Sequence, residues 1–256
     1  MSQNIHPTAY VAPTAILGEN VTLGPFAVVE DNVELGANCQ LGAHAVVQPY
    51  VKMGSGNVLH PHAVLGGLPQ DTSFKAETIS WLKIGDNNVF REGFTAHRSA
   101  VEDAVTTIGS DCFFMNNSHV AHDCVVGSNT VFANNVAIGG FVEVGDNVFM
   151  GGGVVVHQFC RVGSYAIVRG TTGLSKDALP YMLIGGIPAK HYRLNSVGLR
   201  RAGIKGDDFK VLSSAFRMLR KKESLEGLKK TKELSYLQQW LAAESKRGVH
   251  GFVGLS

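Results

Sequence analysis

The run His119-Val120-Ala121-His122-Asp123-Cys124 sets two histidines and a carboxylate within five residues, and His157-Gln158-Phe159-Cys160 follows further along. An imidazole has the unperturbed pKa best suited to moving protons near neutrality, and an adjacent carboxylate can fix its tautomer and steady the imidazolium. His122-Asp123, flanked by small residues that leave room for a substrate, therefore suits a general base acting on an alcohol or amine. His97, Asn116, Asn117, Asn134 and Asn135 add polar groups in the same stretch. A surface histidine is more often merely solvated or stacked, so chemistry alone leaves both readings open.

What must position these groups is a ladder of six. Counting from Ile5 in sixes meets Val11, Leu17, Leu23, Val29, Leu35, Leu41, Val47, Met53, Leu59 and Leu65 without a miss. From Ile108 the same step passes through Phe114, Val120, Val126, Phe132, Ile138, Val144, Met150, Val156, Val162 and Val168 to Leu174. This period matches neither the 3.6 of a helix nor the 2 of a lone strand. A hexapeptide repeat is the signature of a parallel β-helix, in which only stacked coils can bury the apolar face. Gly, Ala or Glu after the apolar residue fits tight corners. Ala27, Val33, Ala45 and Val51 at the fifth place fit a narrow interior.

A chain of 256 residues, 45% hydrophobic, can bury a large core, and a formal charge of +2 offers no reason to expect nucleic acid or membrane binding. No apolar run is long enough to span a bilayer and Met1-Ser2-Gln3-Asn4 does not open a signal peptide, so a soluble, cytoplasmic protein is expected. Cys39, Cys112, Cys124 and Cys160 occupy inward places of their hexads. Cys124 and Cys160 lie two coils apart, roughly 10 Å, too far for a disulfide. They read as free core thiols.

The repeat breaks twice. The count slips by one between Leu65 and Ile84, which expels a loop at about 66–83; a second break at about 99–107 keeps register but puts Glu102 in an apolar place. Loops interrupting a rigid scaffold commonly carry binding residues. After Leu174 the repeat decays through Pro180 and Pro188 into a Lys-, Arg-, Leu- and Glu-rich tail. Asp207 or Asp208 can cap a helix bearing Phe209, Leu212, Phe216 and Leu219, and a last helix carries Leu234, Leu237, Trp240 and Leu241. The expected domains are a β-helix over 1–188 and a helical unit over 189–256.

His119 to Cys124, Phe132-Ala133-Asn134-Asn135, His157 to Cys160, Gln70-Asp71, His97-Arg98 and the tail with Asn195 and Gly198-Leu199-Arg200-Arg201 together resemble the UDP-N-acetylglucosamine acyltransferases of lipid A synthesis. The resemblance implies an all-β, left-handed parallel β-helix with a small α-helical C-terminal domain, assembled as a homotrimer with active sites between neighbours. It implies transfer of an (R)-3-hydroxyacyl chain from acyl carrier protein to the glucosamine 3-hydroxyl. His122 would be the general base, Asp123 its orienting carboxylate and the Gly140 N–H the oxyanion donor. Gly140 lies eighteen residues after His122, which stacks it one layer on. By the same likeness His97, His119, His157 and Gln158 line the cleft for sugar nucleotide and acyl chain, and Asp71 binds glucosamine. Asn195 and Arg201 would lie near the nucleotide and its phosphates, and Arg169 and Gly170 at the end of the acyl tunnel. No cofactor and no metal are called for.

Several positions depart from the family pattern. Phe141 stands where a histidine is usual and Ser73 where a lysine is usual, with Lys75 two residues on. His97-Arg98-Ser99-Ala100 replaces His-Arg-Gly-Thr, and Arg169 replaces a glycine. A phenylalanine donates no hydrogen bond, so a related nucleotide sugar, such as a 3-amino analogue, stays open as acceptor. Two other classes compete: a carbonic-anhydrase-like metal hydratase, disfavoured by the three-residue spacing of His119 and His122, and a silent scaffold β-helix. The basic strip of Arg217, Arg220, Lys221, Lys222, Lys229, Lys230 and Lys232 suits an acidic acyl carrier protein or a solvated helix face equally. Nucleic acid is not expected, because the strip lacks interleaved aromatics.

Overall fold

The computed structural model describes residues 4–254, so Met1, Ser2 and Gln3, which entered the reading for a leader, lie outside it. Short strands, most of two residues, alternate with two-residue turns and stack into three parallel sheets of eleven, nine and eight strands. Each coil pairs with the next eighteen residues on: His119 with Ala137, and Ala137 with Val155. Across the first loop the pairing interval widens to thirty-one residues, Val58 with Val89, and across the second to twenty-four, Thr95 with His119. The ladder resumes after both excursions, one residue out of count after the first and in phase after the second.

The hexad positions fill the interior. Leu23, Val29, Leu41, Val47, Leu59 and Leu65 are buried, as are the small partners Ala27, Val33, Ala45 and Val51. Behind the histidine layers the core is aromatic. Phe90 stacks on Phe114 with centroids 5.3 Å apart, and Phe114 meets Phe132 edge-on at 5.1 Å. The four cysteines are buried and free.

Each corner is a pair of residues. The second adopts a left-handed conformation, often as Asn or Asp, whose short polar side chains tolerate it. Its N–H bonds the carbonyl of the first corner residue one coil back, as Phe141 does to His122 at 3.1 Å and Phe159 to Gly140 at 3.0 Å. The first corner residue's own N–H has no such role. Accordingly Pro7, Pro13, Pro25 and Pro61, which have no N–H, occupy it in the early coils.

The two loops are joined. Arg98, almost fully buried, donates to the Thr78 carbonyl at 2.6 Å and the Ser80 hydroxyl at 3.1 Å, with its guanidinium between the Tyr50 and Phe74 rings. Ser80 bonds the Ser99 carbonyl, and the Glu102 carboxylate accepts from the Ile79 N–H at 3.2 Å. Glu102 takes an apolar place in the hexad because it fastens one excursion to the other.

At the far end a hairpin, Met182–Gly185 antiparallel to Lys190–Leu194, extends the eleven-stranded sheet and leads to helices α1 (Ser196–Arg201), α2 (Gly206–Lys221) and α3 (Lys232–Ala242). These pack a second apolar cluster around Leu199, Leu212, Ala215, Leu234 and Leu237, shared with Leu179, Tyr181 and Met182. One expectation is corrected here. Neither Asp207 nor Asp208 caps α2: Lys205 is its N-cap, without a side-chain bond, and both aspartates sit in the first turn. Asp207 instead pairs with Lys210 and Lys229, which draws its side chain away from the backbone it could have capped.

Candidate active site

His122 and Asp123 form one corner of the coil, bordering the nine-stranded sheet. The corner geometry turns Asp123 back onto its neighbour, and His122 Nδ1 lies 2.8 Å from Asp123 Oδ2. A carboxylate only accepts, so the proton of a neutral ring sits on Nδ1 and Nε2 keeps its lone pair. Both side chains are nearly enclosed. Asp123 is held on every side: its Oδ1 accepts from the Ser99 hydroxyl, its Oδ2 from the Ala100 N–H at 3.0 Å, and its own N–H donates to Thr106 Oγ1 at 2.7 Å.

The imidazole lies flat over the next corner. A Cβ on Gly140 would sit 2.6 Å from His122 Cε1 and 2.8 Å from Nε2, so only glycine leaves room for the ring. Among the described residues the Gly140 N–H has no hydrogen-bond acceptor. Base and amide thus converge on one space. Phe141 meets His122 edge-on at 5.5 Å and stacks on Phe159 at 5.0 Å, lining the adjoining hollow with Asp123 and Val125.

An open groove of about 440 Å³ runs up the sheet from this point, lined by Gln70, His119, His122, Gly140, His157 and Gln158 around an apolar floor of Ala137, Ile138, Val155 and Val156. His119 Nδ1 bonds the Thr95 hydroxyl at 2.8 Å, and burial lowers the pKa of its ring. His97 packs behind it, edge-on at 4.7 Å, and burial pulls its pKa to about 4, helped by the two neighbouring histidines. His97 Nδ1 has no partner among the described residues. Both rings are therefore neutral at pH 7. Val155, 53% exposed, and Gly173 in the next coil continue the apolar track along the outer face.

Asp71 stands on the first loop, its Oδ1 accepting from the Ser73 N–H at 2.8 Å and hydroxyl at 2.7 Å, which hold its carboxyl below the usual range. The residue read as a missing lysine is thus the residue that shapes this carboxylate. His122, Gly140, His119, His157 and Gln158 come together in the groove, with His97 behind and Asp123 beneath. The remaining expected residues lie elsewhere in this chain. Asn195 is buried at the N-cap of α1, its Oδ1 accepting from the Gly198 N–H at 2.9 Å and its Nδ2 donating to the Tyr165 carbonyl at 2.9 Å. Arg201 is exposed in the last turn of that helix. Arg169 and Gly170 line a separate hollow of about 330 Å³ with Thr171, Gly186 and Ile187, at a different corner of the prism.

Sequence reasoning missed the groups that grip Asp123: Ser99, the Ala100 N–H and Thr106. A signal existed for Ser99. It precedes Asp123 by the same twenty-four residues that separate Thr95 from its partner His119.

Comparison with known proteins covers nearly the whole chain. The family description "Udp N-acetylglucosamine O-acyltransferase; Domain 2" matches residues 177–250, and "Bacterial transferase hexapeptide (six repeats)" matches 106–140. The acyl-(acyl-carrier-protein)–UDP-N-acetylglucosamine O-acyltransferase of Alkalilimnicola ehrlichii is 42% identical over 96% of this chain and 98% of its own. That of Paraburkholderia phymatum is 44% identical over 85% and 83%. The crystal structure of the UDP-N-acetylglucosamine acyltransferase from Bacteroides fragilis is 33% identical, covering 95% of this chain and 98% of that one with a TM-score of 0.90. The fold is accordingly a left-handed parallel β-helix with a small helical C-terminal part.

Proposed function

The chain belongs to the acyl-(acyl-carrier-protein)–UDP-N-acetylglucosamine O-acyltransferase family, and from that premise we propose that His122 is the base that starts the acyl transfer. The reaction moves an (R)-3-hydroxyacyl chain from acyl carrier protein to the 3-hydroxyl of UDP-N-acetylglucosamine, the first step of lipid A biosynthesis. One observation carries the assignment of the base: His122 Nε2, freed by the Nδ1 bond to Asp123, lies beside Gly140, whose amide bonds nothing among the described residues, at the foot of a groove with an apolar floor.

The steps follow from that arrangement. Nε2 takes the proton of the sugar hydroxyl as its oxygen attacks the thioester carbonyl, and Asp123 steadies the imidazolium. The carbonyl oxygen gains the negative charge and receives the Gly140 N–H. As the tetrahedral species collapses, the carbon–sulfur bond breaks and the departing thiolate recovers the proton from His122. This leaves free carrier-protein thiol and an O-acyl sugar. Positioned proton transfer supplies typically 10²–10⁴ in rate, and one oxyanion donor a further 10²–10³.

His119, His157, Gln158 and Asp71 are assigned to the sugar, and the track of Ala137, Val155 and Gly173 to the acyl chain. His97 supports His119 from behind. Arg201 and Asn195 serve the nucleotide from a neighbouring copy in a homotrimer, Asn195 by capping the helix that presents the arginine. Arg169 and Gly170 bound the acyl chain at the same junction. The division into a β-helix, 1–188, and a helical unit, 189–256, is part of this proposal, supported by two apolar clusters, the second of which reaches back to Leu179, Tyr181 and Met182. The chain is assigned to the cytoplasm; among the described residues no helix is long and apolar enough to cross a membrane.

The test is an acyl transfer assay with a panel of (R)-3-hydroxyacyl carrier proteins against UDP-N-acetylglucosamine and its 3-amino analogue. Turnover of the hydroxyl sugar is expected, with light scattering giving a trimer mass. Turnover of the amino sugar alone would replace the acceptor, because Phe141 beside the base presents no hydrogen bond to a sugar.

A further inference from the structure

The second loop reaches the dyad at one point. Ser99, fully buried, donates its hydroxyl proton to Asp123 Oδ1, and the next N–H, of Ala100, donates to Oδ2. Both carboxylate oxygens are thus engaged from the second loop while Oδ2 also faces His122 Nδ1. The donor is itself fixed. The Ser99 carbonyl accepts from Ser80, Ser80 also accepts from buried Arg98, and the Ser99 hydroxyl accepts from the Val101 N–H at 3.0 Å. The hydroxyl has two acceptors in reach, the Val101 carbonyl at 3.3 Å and the much closer Asp123 Oδ1, and the shorter, charged contact takes its proton.

We propose that Ser99 is a positioning residue of the acyl transfer, setting through Asp123 the orientation and basicity of His122. It touches no substrate. A hydroxyl bonded to a carboxylate withdraws charge from it, so Asp123 stabilises the imidazolium less than a bare carboxylate would. The same bond stops the carboxylate from rotating away from Nδ1. Ser99 thereby trades some stabilisation of the imidazolium for a base held in one place. The inference rests on the reading of His122 as the base.

The other titratable and charged groups facing the pair are His119 and His97 from the nine-stranded sheet, Asp71 from the first loop, and Glu143, Arg161, Glu244 and Lys246 around the adjoining pocket. None is altered by a change at Ser99, so a shift in the pH profile reports the lost hydroxyl.

The experiment measures kcat and kcat/KM from pH 5 to 9 for wild type, Ser99→Ala, Asp123→Ala and the double variant, with melting curves for each; Ser99→Gly removes the same hydroxyl by a second route. Ser99→Ala and Ser99→Gly are expected to lower kcat about tenfold, the scale of one hydrogen bond to a charged group. The acid limb of kcat/KM should move up by about half a pH unit. In the Asp123→Ala background the change at Ser99 should cost almost nothing further. The inference is overturned if folded Ser99 variants keep the wild-type acid limb, or if the loss is the same with and without Asp123, as a general loosening of the loop would give. His122→Ala measured alongside separates the cases. An active His122→Ala sinks the base itself, whereas an inactive one with an unmoved acid limb sinks only the role of Ser99.

Discussion

Two corners of the same prism use identical backbone geometry to opposite ends. At one, the first corner residues Ser55, Asp86, Ser110, Ser128, Asp146 and Ser164 form a ladder in which each N–H but the last is capped by the side chain one coil on, and that of Ser164 by Tyr236 of α3. The distances run from 2.6 Å for Ser55 to Asp86 up to 3.3 Å for Ser164 to the Tyr236 hydroxyl. At the other stand His122, Gly140 and Gln158. Gly140 has no side chain with which to cap His122, and the His122 ring is turned to Asp123. Among the described residues the Gly140 N–H bonds nothing. A polar group consumed for stability at one edge is kept free for a ligand at the other. Function here is a rung left out of a structural ladder.

That contrast can be broken from either side. The largest effect is expected where both edges share support: Phe114→Ala empties the aromatic core beneath them and should cost about 3–5 kcal/mol, read as a fall in denaturation midpoint. Gly140→Ala puts a methyl into the imidazole and should lower kcat about 10²-fold at a nearly unchanged melting temperature. A loss of folding instead would mean that the open corner is structural too. Acid attacks both regions. Buried His97 and His191 titrate near 4 in the fold because burial disfavours their charged form. In the unfolded chain they bind protons near 6.5, so the unfolded state takes up more protons between these values. Stability should therefore fall as pH drops below about 6.5, by about 2 kcal/mol per group at pH 5, seen in guanidinium midpoints. The smallest effect belongs to the capped edge. Ser128→Ala removes one rung, should lower the melting temperature by about 3 °C, and should leave kcat unchanged.

Most of the fold could be read from the sequence because the hexad is a local pattern repeated many times. Each coil restates the register, and even the two excursions declare themselves as a one-residue slip and an in-phase gap. His122-Asp123 was legible because the partners are neighbours in sequence. Ser99 was marked only by its twenty-four-residue interval to Asp123, since its contact depends on two loops outside the repeat being sewn together by Arg98, Ser80 and Glu102, and Thr106 carried no mark. The tail misled for a similar reason. Asp207 looks like a cap until Lys210 and Lys229 pull its carboxylate outward.

The most direct test is the rate of acyl transfer by His122→Ala beside wild type, at saturating acyl carrier protein and UDP-N-acetylglucosamine, with matched melting curves. A kcat about 10³-fold lower in a protein that melts normally is predicted. A folded variant that works within about threefold of wild type, a difference under 1 kcal/mol, would contradict the account.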